Sequence, residues 1–185
     1  MNAEFPVVLD ACLLANQRVT DLFLRLAETP RLYLPKWSEG ILDETDRTLA
    51  KLNWPEDLIA YRRKQMLQHF PEVIVDGYVA IEGCLTNDPK DRHVLAAAIR
   101  ARCEVIVSFN VKDFPETALD PWGIEVQHPS KFLASLYSLN GGLVVQRLHE
   151  IGANLGDSIP KVLGGLADFV PAFALQVAND IGADL

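Results

Sequence analysis

The sequence predicts an α/β fold: a mostly parallel, five-stranded sheet flanked by helices on both faces, with a C-terminal helical appendage. Two observations lead to this class. Short apolar segments alternate with amphipathic segments of helical period through the first part of the 185-residue chain, as in parallel sheets. From about Ser130 onward only the helical period remains. We therefore predict an α/β domain over residues 1–129 and a helical extension over residues 130–185.

Five segments have the apolar character of short strands and are bounded by polar or turn-forming residues. They are Phe5–Leu9, Pro30–Pro35, Glu72–Asp76, Val105–Val107 and Gly123–Gln127. The last of them alternates apolar and polar residues, so we expect it at an edge of the sheet.

Amphipathic helices are predicted between the strands, because apolar residues recur there about every three to four positions. They cover Ala11–Ala27, Ser38–Leu52, Glu56–His69 and a fourth segment that ends near Arg102. In the fourth, Asp88 is the expected N-cap, Pro89 the first helical residue and Asp91 a first-turn carboxylate. The extension is predicted to hold helices over Ser130–Leu139, Gly142–Ala153, a segment capped by residues 157–160, and Phe169–Ile181.

The charge of the chain limits the ways in which it can bind nucleic acid. Its formal net charge is −8 at pH 7, which argues against a broad basic surface that holds nucleic acid. This charge does not exclude an enzyme that handles phosphates through metal ions, because such sites are themselves built from carboxylates.

The cellular location is predicted from the N-terminus, the apolar segments and the cysteines. Residues 1–5 include no basic segment ahead of an apolar one, so no secretory signal is visible, and no apolar run approaches the ~20 residues that span a bilayer. Cys12, Cys84 and Cys103 are scattered and lack zinc-binding spacing, as expected for thiols in a reducing compartment. We therefore expect a cytoplasmic protein with no membrane partner.

Four acidic residues are predicted to meet at one edge of the sheet. Asp10 directly follows the first strand, Asp91 begins the helix before the fourth strand, and Asp113 lies in the turn after that strand. Glu44 borders the apolar stripe of the second helix and can reach the same edge. The carboxyl ends of strands are where open α/β sheets place ligand-contacting groups. Asp10, Asp88 and Asp91 also have a purely structural interpretation, as helix caps or first-turn acids.

The remaining charges near Glu44 are predicted to be surface groups. Three other acids of its helix, Glu39, Asp43 and Asp46, fall outside the apolar stripe. The next helix carries a basic cluster of Arg62, Arg63 and Lys64, which is read either as a solvated face or as a phosphate contact.

A set of carboxylates this close together requires a neutralising group. Two like charges ~4 Å apart repel by about 4 kcal/mol at an effective dielectric constant of about 20. Either some of the acids are protonated or a divalent cation neutralises them. An all-oxygen set of ligands selects Mg²⁺ or Mn²⁺ over zinc or copper.

The sequence around these acids resembles the PIN-domain ribonucleases, in particular the VapC-type toxins of toxin–antitoxin pairs. Four stretches carry the resemblance: VVLDACLL with Asp10, WSEGILDET with Glu44, NDPKDRHVLAAAI with Asp91, and VIVSFNVKDF with Asn110 and Asp113. It extends over about Phe5–His128, and the tail from Ser130 is similar to the helical extension of one VapC-type subgroup. The resemblance implies a three-layer α/β sandwich around a five-stranded parallel sheet.

The resemblance also implies a function and a role for each acid. The implied reaction is metal-dependent hydrolysis of RNA phosphodiester bonds, which leaves 5′-phosphate and 3′-hydroxyl ends. Asp10, Glu44 and Asp91 correspond to the core acidic triad and Asp113 to a fourth, more variable acid; all four are candidate catalytic and metal-binding residues. A cognate antitoxin and a possible homodimer are further implications of the family.

Some positions depart from the family pattern. Cys12 stands where the family commonly has Asn or Ser, and Asn110 stands where it often has Asp. The fourth metal contact is therefore Asn110, Asp113 or neither, and Asp88 is a candidate for the outer metal shell. His93 lies beside the acids and is expected at the edge of the site rather than as a base.

Two other functions stay open at this point. One is a catalytically inactive PIN-fold interaction module, against which the intact Asp10, Glu44 and Asp91 argue. The other is a Mg²⁺-dependent phosphatase similar to the haloacid dehalogenases, which also begins with a strand and an Asp. That class requires a second Asp two residues after the first, and Cys12 fills this place.

Overall fold

The computed structural model of the chain describes residues 2–184, which form two compact units. The first, here called the sheet unit, comprises residues 5–15 and 34–127. The second, the helical unit, comprises residues 2–4, 16–33 and 128–184. The two units interleave in the sequence because residues 16–33 group with the C-terminal helices. The predicted division into domains over residues 1–129 and 130–185 stays a prediction.

Within the described residues the sheet has four parallel strands in the order β2-β1-β3-β4. They are β1 (Pro6–Leu9), β2 (Leu34–Lys36), β3 (Val105–Val107) and β4 (Glu125–Gln127). The central strands are apolar and almost fully buried, as expected for strands covered on both faces. The predicted α/β class with a parallel sheet and a helical C-terminal region is confirmed.

The described part of the chain has ten α-helices, which lie between and after the strands. In order they are α1 (Ala11–Leu14), α2 (Gln17–Ala27), α3 (Glu39–Lys51), α4 (Glu56–His69), α5 (Val79–Glu82), α6 (Arg92–Arg100), α7 (Glu116–Leu119), α8 (Pro129–Leu155), α9 (Ile159–Ala167) and α10 (Pro171–Ile181). None of the helices in the described part of the chain combines the length and the apolar character needed to cross a membrane.

The prediction of five strands is wrong by one. Residues 72–76 form no strand; Ile74 makes a single parallel bridge with Trp37 at the end of β2. Backbone hydrogen bonds from Trp37 N to Val73 O (3.4 Å) and from Val75 N to Trp37 O (2.9 Å) close this bridge. A turn precedes the segment, and Gly77, with a φ of +72°, follows it. Because the chain bends before and after it, this segment is extended over too few residues to form more than one bridge with β2.

Two helix boundaries also differ from the prediction. The expected helix over residues 11–27 is two helices, because the side chain of Asn16 accepts a hydrogen bond from Val19 N (3.2 Å) and starts α2 anew. The expected cap at Asp88 is wrong. Asp88 Oδ1 instead accepts from Lys90 N in a turn (2.9 Å), and α6 begins at Arg92 with Asp91 in the N-cap position.

In the helical unit, aromatic side chains form the centre of the packing. The ring of Phe23 on α2 stacks on Phe132 of α8, and Tyr33 packs edge-on against both. Helix α8 covers the first two predicted C-terminal helices. It is kinked between them at Asn140, where the backbone leaves the helical conformation (φ −152°, ψ 76°). Asn140 Oδ1 accepts from Leu143 N (3.0 Å) and so caps the second half of α8.

Candidate active site

The candidate site begins where β1 and β3 end. Leu9 pairs with Val107, so the next residues, Asp10 and Ser108, are neighbours at the carboxyl edge of the sheet. Asp10 is buried, and its carboxylate accepts hydrogen bonds from Ala11 N (2.7 Å) and from Ser108 Oγ (2.6 Å). Burial raises the pKa of Asp10, and the hydrogen bonds from Ser108, Cys12 and Ala11 offset part of this rise.

Cys12 completes a small polar network around Asp10. Its Sγ lies 3.1 Å from Asp10 Oδ2 and 3.3 Å from Ser108 Oγ, and it accepts a hydrogen bond from Phe109 N (3.3 Å). Burial and the negative charge of Asp10 raise the pKa of Cys12 to about 12. The thiol is therefore protonated at neutral pH and can donate to the Asp10 carboxylate.

Glu44 is held differently from the other acids of α3. Arg63 on α4 makes ion pairs with Glu39, Asp43 and Asp46, the three acids expected to face solvent. Glu44 instead places its Oε2 3.2 Å from Nε2 of His93 on α6. Thus Arg63 binds neighbouring acids within its own unit, which argues against a phosphate-binding role for this member of the basic cluster.

His93 and Glu44 shift each other's protonation equilibria. The imidazole of His93 is the largest cause that lowers the pKa of Glu44. Burial alone would lower the pKa of His93, but the Glu44 carboxylate, the backbone of Lys90 and the charge of Asp10 together outweigh it, so the pKa of His93 is raised. Nε2 is buried and lies 3.2 Å from Oε2 of Glu44, so the imidazole and the carboxylate are in direct contact.

Asp91 is the residue on which the charges of the other acids act together. Its side chain makes no capping hydrogen bond, although the residue occupies the N-cap position of α6. Partial burial and the negative charges of Asp10, Asp113, Glu44 and Asp88, in that order, raise the pKa of Asp91 to about 6. The carboxylates of four chain segments are therefore close enough to repel one another across Asp91.

The remaining candidates lie at the rim. Asp113 ends a turn of 3₁₀ helix that follows β3, and its charge acts on Asp91. Asn110 is exposed and contributes through its backbone: its N–H donates to Ser108 Oγ (2.9 Å) and its carbonyl accepts from Asp113 N (3.0 Å). Asp88 is exposed and has the smallest of the four effects on Asp91.

The donor set fits a divalent cation in its chemistry. Every group that raises the pKa of Asp91 by its charge is a carboxylate, and hard cations such as Mg²⁺ and Mn²⁺ bind oxygen ligands of this type. In residues 2–184, however, no three His, Cys, Asp or Glu side chains are already gathered at the spacing of a ligand cage. The carboxylates are thus near enough to affect the pKa of Asp91 but are farther apart than the ligands of a bound metal ion.

Sequence reasoning missed the roles of Ser108 and His93. Ser108 could have been found from topology, because it follows β3 just as Asp10 follows β1, and neighbouring parallel strands end at the same edge. His93 was expected only at the edge of the site. Its partner Glu44 lies on another helix, and no local spacing relates the two residues.

Comparison with known proteins gives one family and one relative. A curated protein of Mycobacterium tuberculosis (strain ATCC 25618 / H37Rv), named "Putative ribonuclease VapC50", is 39% identical over 103 residues, which are 54% of this chain and 61% of that protein. The chain thus spans less than two thirds of that relative. No solved structure matches. The family model described as "PIN domain" matches residues 6–112, more than half of the chain and a range that includes Asp10, Glu44 and Asp91. Together with the parallel sheet and the acidic edge, this match places the chain in the PIN domain family.

Proposed function

We propose that this chain is a Mg²⁺- or Mn²⁺-dependent endoribonuclease that hydrolyses RNA phosphodiester bonds, and that it is the toxin of a type II toxin–antitoxin pair. The observation that carries the proposal is the PIN domain match over residues 6–112, which includes Asp10, Glu44 and Asp91. The charges of Asp10, Asp113 and Glu44 act together on Asp91 and raise its pKa, which supports a shared site. Groups with perturbed pKa values cluster at functional sites. The name of the Mycobacterium relative supports ribonuclease activity and the toxin class.

In this proposal Asp10, Glu44 and Asp91 hold the cation, and Asp113 is a fourth acid at the rim. When bound, the cation would activate water for attack on the phosphorus and stabilise the leaving 3′ oxygen. Ser108 and Cys12 both donate to Oδ2 of Asp10, so the orientation of this carboxylate is fixed before the cation binds. The neighbouring carboxylates repel the negative charge of Asp91, and this repulsion favours the binding of a cation.

The proposed substrate, partners and location follow from the family and the charge of the chain. RNA is a polyanion, and a protein with a net charge of −8 can approach it only where cations offset the carboxylates. A cognate antitoxin that places a basic side chain against the acidic edge would compete for the same charges. A homodimer and a cytoplasmic location remain predictions.

The test is cleavage of RNA by the purified chain, freed of any bound antitoxin, in Mn²⁺ or Mg²⁺ and in EDTA. We expect cleavage that needs the metal, and a loss of about 100-fold or more in Asp91→Asn. Asp76→Asn, which neutralises an exposed acid of the same unit, is the matched control and should cleave like the wild type. End analysis should find 5′-phosphate and 3′-hydroxyl groups.

The inactive interaction module is the competing outcome. It predicts that neither RNA cleavage nor Mn²⁺ binding by calorimetry is detected in the wild type, and that Asp91→Asn changes neither. Metal binding without cleavage of total RNA would instead call for a panel of structured RNAs, because such a nuclease can be highly selective.

A further inference from the structure

The imidazole of His93 lies in a slot formed by α3, α6 and the segment that precedes α5. We propose that His93 is a positioning residue that fixes the carboxylate of Glu44 for cation binding. This inference rests on the proposed nuclease function and assigns a role to a residue outside the acidic set. His93 acts through Glu44 and needs no contact with RNA or with the reacting phosphate.

The first argument is the placement of His93 on α6. It follows Asp91 by two residues, and α6 packs against both β1 and β3 as well as α3. The side chain of His93 is 17% exposed, whereas that of Glu44 is 39% exposed. The imidazole is therefore the fixed member of the pair, and Glu44 is the member that would otherwise turn to solvent.

The second argument is the shape of the slot. Gly40 N donates to Tyr78 Oη (3.2 Å), which brings the tyrosine ring against the start of α3. A Cβ at position 40 would lie 2.6 Å from Tyr78 Oη and 3.3 Å from His93 Cδ2. The bare Cα of Gly40 thus leaves the room that the imidazole and the phenol occupy.

The third argument is the separation of Glu44 from its neighbours on the helix. Glu39, Asp43 and Asp46 are bound to Arg63 on the α4 side of α3. Glu44 is bound on the α6 side, where its charge acts on both Asp10 and Asp91. Arg63 and His93 thus contact different acids of α3: Arg63 holds the three on the α4 side, and His93 holds Glu44 on the α6 side.

Such a contact orders the Glu44 carboxylate before the cation binds, so less conformational entropy is lost on binding. Groups that orient metal-binding side chains typically account for 10–100-fold in metal affinity or activity. Gln can place an amide N–H near the same carboxylate, whereas Ala cannot. His93→Gln should therefore retain much of the effect that His93→Ala loses.

The experiment measures Mn²⁺ affinity by calorimetry and RNA cleavage for wild type, His93→Ala, His93→Gln and the control His69→Ala. His69 is exposed on α4 and lies outside the site. We expect about 10-fold weaker Mn²⁺ binding and a lower kcat at similar KM for His93→Ala, recovery to within about threefold for His93→Gln, and no change for His69→Ala. In a Glu44→Gln background, His93→Ala should have no further effect on Mn²⁺ affinity.

Two results would overturn the inference in an active, metal-binding wild type. One is unchanged Mn²⁺ affinity and kcat in His93→Ala. The other is an equal loss from His93→Ala with and without Glu44, since His93 would then act on something else. A wild type that neither binds Mn²⁺ nor cleaves RNA would overturn the proposed function instead. The folding of each variant is checked by circular dichroism. Where His93→Ala unfolds, His93→Leu, which fills the slot without an N–H, takes its place with the same expected loss.

Discussion

Ser108 Oγ donates a 2.6 Å hydrogen bond to Oδ2 of Asp10, joining two residues that are 98 positions apart in the chain. Both side chains are buried, and each directly follows a central strand of the sheet. Ser108 Oγ also accepts from Asn110 N (2.9 Å), so the same hydroxyl shapes the turn that leads to Asp113. The contact connects the first acid of the site to the loop that carries the last.

Removing this hydroxyl is expected to destabilise the sheet unit. Ser108→Ala takes away a hydrogen bond to a buried carboxylate, which costs about 2 kcal/mol of unfolding free energy at pH 8, and it lets the pKa of Asp10 rise further. Urea unfolding measures the loss. Ser135→Ala, which removes an exposed hydroxyl on α8, should change stability by less than about 0.5 kcal/mol. Equal stability of the two variants would contradict the role given to Ser108.

Neutralising Asp91 is expected to stabilise the metal-free protein at alkaline pH. The pKa of Asp91 is about 6 in the folded chain and near 3.8 in the unfolded one. Because the folded value is the higher, the ionised carboxylate destabilises the fold. This penalty is absent below pH 3.8, grows as the pH rises to about 6, and is complete above that.

Asp91→Asn should therefore raise the unfolding free energy at pH 8 in EDTA by about 1 kcal/mol, a value discounted for the partial exposure of the carboxyl. At pH 3.5, where the carboxyl is mostly protonated in both states, the variant and the wild type should be nearly equally stable. The measurement is urea unfolding at the two pH values. A variant less stable than wild type at pH 8 would show that Asp91 makes a net favourable contact.

The three cysteines are expected to differ sharply in reactivity towards a thiol reagent at pH 8. Cys84 is exposed, whereas burial raises the pKa of both Cys12 and Cys103 to about 12. Since only the thiolate reacts, one thiol should react quickly in the native protein and two more only after unfolding. Cys84→Ser should remove the fast phase. A fast phase that remains in this variant would mean that the Asp10 network opens readily.

Arg63 is expected to stabilise the pairing of α3 with α4 in a manner that depends on salt. Arg63→Met leaves Glu39, Asp43 and Asp46 without their shared partner and should cost about 1 kcal/mol, because networks contribute more than single surface pairs. In about 1 M salt, where the Debye length is ~3 Å, most of the difference should vanish. Lys64→Met, at the exposed next position, is the control for lost charge. A salt-independent loss would point to packing instead.

The elements predicted correctly are those whose local signals agree with their packing. Helix α3 illustrates this: Ser38 accepts a capping hydrogen bond from Ile41 N, and the apolar residues at helical spacing are buried. At residues 72–76 the apolar character of the segment agrees with its packing, since Val73 and Val75 are buried, although the predicted strand does not form. The sequence pattern does not show how many backbone hydrogen bonds the segment makes with β2, because the bends on either side decide how far the two run together.

The candidate site divides in the same way. Asp10, Asp91 and Asp113 are visible in the sequence because each lies at a strand end or helix boundary, and Glu44 because it borders the apolar stripe of its helix. In the structure the charges of the other three acids act on Asp91. Their assignment to metal binding and catalysis stays a prediction. The side chains that orient them, Ser108 and His93, are reached only through the register of β1 with β3 and the packing of α3 against α6. Such relations arise between distant residues and leave no local pattern.

The single bridge between Trp37 and Ile74 has a consequence for solubility. A sheet ends safely only when its outer strand cannot recruit a strand from another molecule. Here the edge strand β2 is three residues long and has Pro35, which lacks a donor, at its centre, while the bridge occupies the backbone just beyond it. At the opposite edge, β4 is equally short and begins with the exposed Glu125. The segment over residues 72–76, which forms no fifth strand, thus covers backbone beside β2 that would otherwise be open to pairing with another chain.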